Sequence, residues 1–386
     1  MINEAGDRVV CIRRNSDIQF SVKFPSWIHY LTEQSKRNVS VPSDGNFIQG
    51  NKKANPNQLD RVYSTLLDCI DISSAHYEHL TSSTRKMSQK EIDIRGYKSF
   101  PEKPWNAVKE ISNYLDPSLL AGIPGFFENK YGWSISGRQG ILIPYRNHLN
   151  QIVGFQTRID NPLNDVEINP GSISGLQARV KTQPNLVEIL IRGVAVEEVE
   201  LELGESYGVY SESGAGFVKL VKGQRYFWLS SANKENGTGA GDPLPVHVAV
   251  PSTELDNWEK GCLLNSRSVW LTEGALKADI AVEHITRVYN SEELKDVGST
   301  FIATAGVNSW RSVIPVLKAM KVEHVNIAFD MDAMENPQVA FYLRELATYL
   351  RKEGYSANIA MWNPSDGKGI DDCVVNLRAP ILKKLF

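Results

Sequence analysis

Two hydrophobic rhythms divide the last third of the chain into short blocks. SVWLTE (268–273), TFIATAG (300–306), HVNIAFD (324–330) and SANIAMW (356–362) are compact apolar runs of strand length. Between them GALKADIAVEHI (274–285), SWRSVIPVLKAM (309–320) and PQVAFYLRELATYLRKEG (337–354) follow the helical period. Val339, Leu343, Leu346 and Leu350 make one apolar stripe, and Gly354 stands where a helix C-cap glycine belongs. Strands alternating with helices predict a parallel sheet with right-handed crossovers, flanked by helices. Upstream, ILIPYRNHLNQIVGFQTRID (141–160) is two β-like runs around a polar NHLN turn, the pattern of a hairpin. Leu59, Val62, Leu66 and Ile70 share one helical face, and Ser88 with Glu91 forms a capping box. VEILIRGVAVEEVELEL (187–203) alternates like strands, whereas SSANKENGTGAGDPLP (230–245) is a glycine-rich loop.

These patterns predict an α/β fold, α+β overall. Its parts are a poorly defined segment 1–56, a helical module 57–130, a β-rich subdomain with an insertion 131–265, and a sheet domain 266–386. Composition changes the picture little. The 386 residues are 42% hydrophobic and 23% charged, as in an ordinary soluble protein with sizeable cores. No apolar run has the length of a membrane span, and the N-terminus lacks the plan of a secretory signal, so a cytoplasmic protein is expected. The four cysteines form no CxxC pair, which argues against a zinc ribbon and a disulfide framework. A net charge of −3 does not announce a nucleic-acid surface, but residues 85–160 carry eleven Lys/Arg against seven Asp/Glu.

The chemistry sits where strands end. Glu273 closes the first strand, Asp330 and Asp332 close the third, and Asp366, Asp371 and Asp372 follow the fourth. In a parallel sheet those ends share one edge, where ligands bind. Asp330 and Asp332 leave the strand on the same side and repel each other unless a cation neutralises them. Clustered carboxylates suit a hard divalent ion, Mg2+ or Mn2+. Such an ion implies phosphoryl or nucleotidyl transfer, in which positive side chains hold the phosphates. Arg146 and Arg158 lie in apolar β-like runs, where an arginine tends to be kept for a partner. No HxxxH, HExxH or GxxxxGK[ST] pattern is present, so a histidine zinc site and a P-loop are not supported.

Glu-Gly after a first strand, Asp-x-Asp after a third and a later Gly-Lys-x-x-Asp-Asp loop resemble the TOPRIM fold. GRQGILIPYRNHLNQIVGFQTRID is similar to the hairpin preceding TOPRIM in DnaG-type primases, and RYFWLSS (225–231) falls at their Lys-Tyr strand. The resemblance spans roughly residues 130–375. It implies a primase-like nucleotidyltransferase making oligonucleotides on single-stranded DNA from nucleoside triphosphates. Glu273 would be the general acid/base, with Lys277 beside it, and Asp330, Asp332 and Asp371 the metal ligands. Arg138, Arg146, Arg158, Arg225, Lys234 and Lys368 would bind template or nucleotide. The segment LTSSTRKMSQKEIDIRGYKSFP (80–101) is similar to TOPRIM replication proteins of plasmids, phages and integrative elements. Two departures follow: Cys11 cannot replace the primase zinc module, and Lys277 stands where the primases carry an aspartate. The helicase-binding tail of those primases is not found either, so a replicative helicase, if used, is expected on a separate chain or on a longer one from which this sequence was cut. A TOPRIM nuclease and a catalytically weak DNA-binding module share these features, and an assay with labelled nucleotides separates the three.

Overall fold

The computed structural model describes residues 8–11, 19–21, 26–30, 51–212, 214–241, 243–331 and 337–386. Asp332, one of the expected metal ligands, and Cys11's side chain lie outside what is described. Strands β1 (Arg8–Cys11), β2 (Gln19–Ser21) and β3 (Ser26–Tyr30) form a small antiparallel sheet in the order β1-β3-β2.

The helical module starts with α1 (Pro56–Asp68), whose Asn55 N-cap accepts from the Gln58 amide and whose face Leu59, Val62, Leu66 is buried as the period predicts. Then come α2 (Ser74–Thr81), α3 (Gln89–Arg95) with the Ser88/Glu91 capping box formed, β4 (Lys98–Ser99) and α4 (Pro104–Ile111). A short ribbon of β5 (Phe126–Asn129) and β6 (Gly132–Ile135) leads to the hairpin β7 (Ile141–Arg146) and β8 (Ile152–Arg158). Helix α1 packs on this hairpin, Tyr63 meeting Phe155 edge-on at 4.8 Å.

The insertion is a separate β unit. Strands β9 (Asn164–Asn169), β10 (Leu176–Thr182), β11 (Leu186–Ile191), β12 (Val194–Glu200), β13 (Ser206–Ser211) and β14 (Gly214–Lys222) form two three-stranded sheets. They close on their own core of Leu176, Val187, Ile189, Val209, Val218 and Leu220. Residues 164–222 carry nine acids against five bases, so this unit is net acidic. The chain returns through β15 (Tyr226–Trp228), which pairs antiparallel with β8. The hairpin sheet has the order β15-β8-β7-β4.

The C-terminal domain adds β16 (His247–Ala249), α5 (Ser252–Leu255), β17 (Ser268–Glu273), α6 (Ala275–Val288), α7 (Ser291–Val297), β18 (Thr300–Thr304), α8 (Ile314–Ala319), β19 (His324–Ile327), α9 (Pro337–Lys352), β20 (Ser356–Met361), α10 (Ile370–Val375) and β21 (Ile381–Lys384). The sheet order is β16-β18-β17-β19-β20-β21. Its four central strands are parallel, as expected, but β16 and β21 run antiparallel, so the sheet is mixed. Both edge strands are short, with too few alternating positions for the pattern to declare them. Val269, Leu271, Val325 and Ile327 face Leu317, Leu346 and Leu350 on one side, while Trp270, Ala328 and Ala360 face Ala278, Val282 and Val374 on the other. Both faces are therefore covered by helices. No helix among the described residues is long and apolar enough to cross a membrane.

A buried ionic network joins the two halves. Arg95 at the end of α3 donates to Asp279 and Glu283 of α6, and Tyr97 Oη donates to Asp279 at 2.6 Å. The Arg146 amide donates to His247 Nδ1 (3.0 Å), which leaves the imidazole proton on Nε2, facing Asp279 at 3.0 Å. Tyr97, Ile141, Ile143 and Tyr145 pack with Ala275, Leu276 and Ile280 at the same seam, fixing the start of α6 relative to the hairpin.

Candidate active site at the sheet edge

The site begins at the carboxyl end of β17. Glu273 is its last residue, and Gly274 turns the chain into α6 at φ +82°, a conformation that favours glycine. One turn into α6, Lys277 points back over the sheet edge. Its ammonium donates to Asp330 Oδ1 just beyond β19, and Lys368 Nζ lies 3.7 Å from the other oxygen. Asp330 is 6% exposed. The loop after β20 is held over this acid by the Met331 amide, which donates to the Lys368 carbonyl at 3.1 Å. Gly369 is the close-approach point: a Cβ there would lie 2.4 Å from Asp371 Oδ1, 3.3 Å from Asp330 Oδ1 and 3.4 Å from Lys277 Cδ. Both carboxylates therefore face one small space, and the lysine stem crosses it.

The loop acids divide by role. Asp372 accepts from the Lys368 and Gly369 amides at 3.2 Å each and caps α10, and Asp366 lies 3.8 Å from Arg378. Asp371 is 2% exposed; its Oδ2 accepts from Arg85 Nη1 at 2.7 Å, while Oδ1 is buried without a hydrogen-bond partner. Burial, with Asp372 and Asp330 nearby, pushes the Asp371 carboxyl above the usual carboxylate range, against the pull of Lys277 and Arg85. For Lys277 burial works to lower the pKa, but Asp330, Asp371 and Glu273 outweigh it and hold the ammonium charged. One lysine is thus the common partner of three acids from three strand ends.

Oxygen-only donors and the orphaned Asp371 Oδ1 suit a hard cation. Among the described residues, no group of three His, Cys, Asp or Glu side chains is spaced to hold a metal. Glu273, Asp330 and Asp371 thus do not form such a group in this arrangement, in which Lys277 engages Asp330.

The basic residues separate sharply. Arg158 on β8 is 7% exposed; Tyr226 opposite it on β15 hydrogen bonds its guanidinium, and its Nε is buried without a partner. Burial, Arg225 and Arg85 all lower its pKa, so these arginines crowd one another beside the acids. Arg146 is instead an internal clamp. At 8% exposure it donates to Asn150 Oδ1 (3.2 Å) and to the carbonyls of Ile94 (3.1 Å) and Arg95 (3.3 Å). The expectation that it holds a phosphate is corrected: its donors tie α3 to the hairpin. Arg138 is exposed and lies over the Phe227 ring at 3.9 Å, and Lys234 Nζ lies 5.5 Å from the Phe127 centroid. Neither contact involves the acids. Lys368 and Arg225 are exposed at the site.

Arg85 and His79 were not singled out by the sequence. Arg85 lies 286 positions from its carboxylate partner in a serine- and threonine-rich stretch, and only the local excess of bases from residue 85 onward hinted at it.

Residues 258–379 match the profile of a family described as a domain of unknown function, DUF3854. No curated protein matches the chain. Among solved structures, a DnaG primase catalytic domain bound to single-stranded DNA aligns at 12% identity and TM-score 0.45, covering 82% of this chain and 74% of that one. The E. coli primase catalytic core aligns at 12% identity and TM-score 0.43, covering 83% and 75%. The RNA polymerase domain of Mycobacterium tuberculosis primase, in complex with a DNA oligomer, aligns at 11% identity and TM-score 0.45, covering 84% and 79%.

Proposed function

We propose that this chain carries the core of a primase-like nucleotidyltransferase that makes oligonucleotides on single-stranded DNA from nucleoside triphosphates. The observation that carries this reading is the meeting of Glu273, Asp330 and Asp371 around Lys277, with Arg85 joining that acidic edge to Arg158 and Arg225. The TOPRIM-like order of the acids along the chain supports the same chemistry.

In this reading Glu273, half-exposed at the end of its strand, accepts the proton of the attacking hydroxyl. Asp330 and Asp371, with Asp332 by resemblance, would hold Mg2+ or Mn2+. The ion, when bound, would polarise the transferred phosphate and offset charge on the attacking and leaving oxygens. Lys277 would then move from Asp330 to a phosphate oxygen, keeping its positive charge at the site. Arg158 and Arg225 orient the phosphates, and exposed Arg138 contacts the template strand. A setting in mobile-element replication with a helicase on another chain goes with this proposal.

Labelled nucleoside triphosphates incubated with single-stranded template and Mg2+ or Mn2+ test it. New oligonucleotides, lost in Asp371→Asn, are expected. Shortening of the template would replace this reading with a nuclease, and a mobility shift without synthesis would replace it with a binding module.

A further inference from the structure

Three nitrogen atoms near the acidic edge are buried with no acceptor among the described residues: His79 Nε2, Arg85 Nε and Arg158 Nε. Unsatisfied buried polar atoms are rare; the two guanidinium N–H groups lack an acceptor, and His79 can add a third donor in its Nε2–H tautomer. The neighbourhood is electrostatically one unit. Burial lowers the His79 pKa to about 4, and Arg158, Arg85 and Arg225 add to the effect; Asp160 opposes it weakly. Asp160 itself accepts from His76 Nε2 at 3.0 Å. Asp371 is engaged by Arg85 through one oxygen only. The cluster therefore holds three guanidinium groups and an imidazole, with Asp371 already paired to Arg85 and Asp160 to His76.

Its parts come from distant segments that are firmly docked. Arg85 and Lys86 follow α2 and reach α10, Arg85 through Asp371 and Lys86 Nζ through the Val375 carbonyl at 3.2 Å. Arg158 is fixed by β8 and by Tyr226. A buried guanidinium more than nine-tenths covered, with an unused N–H, is held ready for an acceptor rather than left to solvent.

We propose that His79 and Arg85 of the helical module complete, with Arg158 and Arg225, a pocket for a phosphate oxyanion beside the acidic edge. This rests on the nucleotidyltransferase reading and deepens it by giving the helical module a part in the site. The phosphate belongs to a nucleoside triphosphate or to the 5′ end of a strand. Fixed arginine donors recognise both in the same way.

Titration calorimetry in EDTA separates these sources without any turnover. The probes are inorganic tripolyphosphate, ATP, and a short oligonucleotide with and without a 5′-phosphate. Tripolyphosphate is expected to bind, with His79→Ala and Arg85→Met each weakening it about tenfold, the loss of one charge-assisted hydrogen bond. His79 Nε2 has no internal partner to lose, so His79→Ala distinguishes ligand binding from damage to the fold. Exposed Arg311, paired with Glu345 on another face, is the control and its alanine variant should bind normally. ATP competing with tripolyphosphate assigns the pocket to the nucleotide, and competition only by the 5′-phosphorylated strand assigns it to the strand. Absence of tripolyphosphate binding, or unchanged affinity in both variants, overturns the pocket. Nucleotide incorporation without tripolyphosphate binding would leave the nucleotidyltransferase reading standing alone, and binding without incorporation would do the reverse.

Discussion

Lys277 shows how one residue can decide the chemistry of a site. Its ammonium holds Asp330, so a divalent ion must compete with it for that carboxylate. Lys277→Ala is therefore expected to lower the Mg2+ or Mn2+ concentration giving half-maximal stabilisation in thermal melts. The apo protein should lose about 1–2 kcal/mol as the buried carboxylate becomes uncompensated. An unchanged ion titration would show that the pair and the metal do not share Asp330. The sequence, which sees only crowded aspartates, predicts that Asp330→Asn relieves repulsion. In the structure Lys277 and Lys368 already offset that charge, so the same substitution should cost stability. Asp279 gives a second residue-scale test. Burial would raise its pKa, but Arg95, His247 and Tyr97 overcome this and hold it at about 2. A folded-state pKa below the unfolded value means stability that is present above about pH 4 and lost as pH falls toward 2. Asp279→Asn should flatten that acid limb in denaturant melts and cost about 3–5 kcal/mol at neutral pH, since Arg95 would stay buried with one of its two acid partners neutralised. An acid limb identical to wild type would remove Asp279 from the account.

At the scale of elements, the insertion is the clearest experiment. Strands β8 and β15 pair with each other although the whole β9–β14 unit lies between them in sequence, and the Gly223 amide donates to the Leu163 carbonyl at 3.0 Å. The two ends of the unit are thus already adjacent, and its core is its own. Replacing residues 164–222 by an Asn-Gly turn should leave a chain that melts cooperatively within a few degrees of wild type and keeps its response to Mg2+. Loss of cooperative melting would mean that the insertion supports the hairpin sheet. The sequence made its alternating strands legible, because period two is a local property. It did not reveal that they form a closed unit, because sheet partnership depends on which faces meet. The same limit hid β16 and β21, whose three and four residues take their structure from the strands beside them.

Over the whole molecule, charge is segregated: an acidic insertion, an acidic sheet edge and a cluster of arginines beside that edge. Binding of single-stranded DNA should therefore depend on salt through a few exposed bases. Arg138→Ala and Arg225→Ala are each expected to flatten the slope of log K against log salt by about 0.7, the share of one phosphate contact on a single strand. Arg146→Ala should leave that slope unchanged and instead destabilise the fold by about 2–4 kcal/mol, because its three side-chain hydrogen bonds end on internal acceptors. A reduced slope in Arg146→Ala would return it to the DNA surface. The sequence could determine that both Arg146 and Arg158 sit in apolar strands, that acids close β17 and lie just beyond β19, and that strands and helices alternate. Those are statements about neighbours within a few residues, and side-chain period alone carries them. Only the tertiary structure decided which arginine was spent on packing and which kept an unused donor. It alone put Lys277 on Asp330, 53 residues away, and Arg85 on Asp371, 286 residues away. Pairings at that separation follow from how covered sheet faces and docked helices bring backbones together, and no local pattern in the chain encodes them.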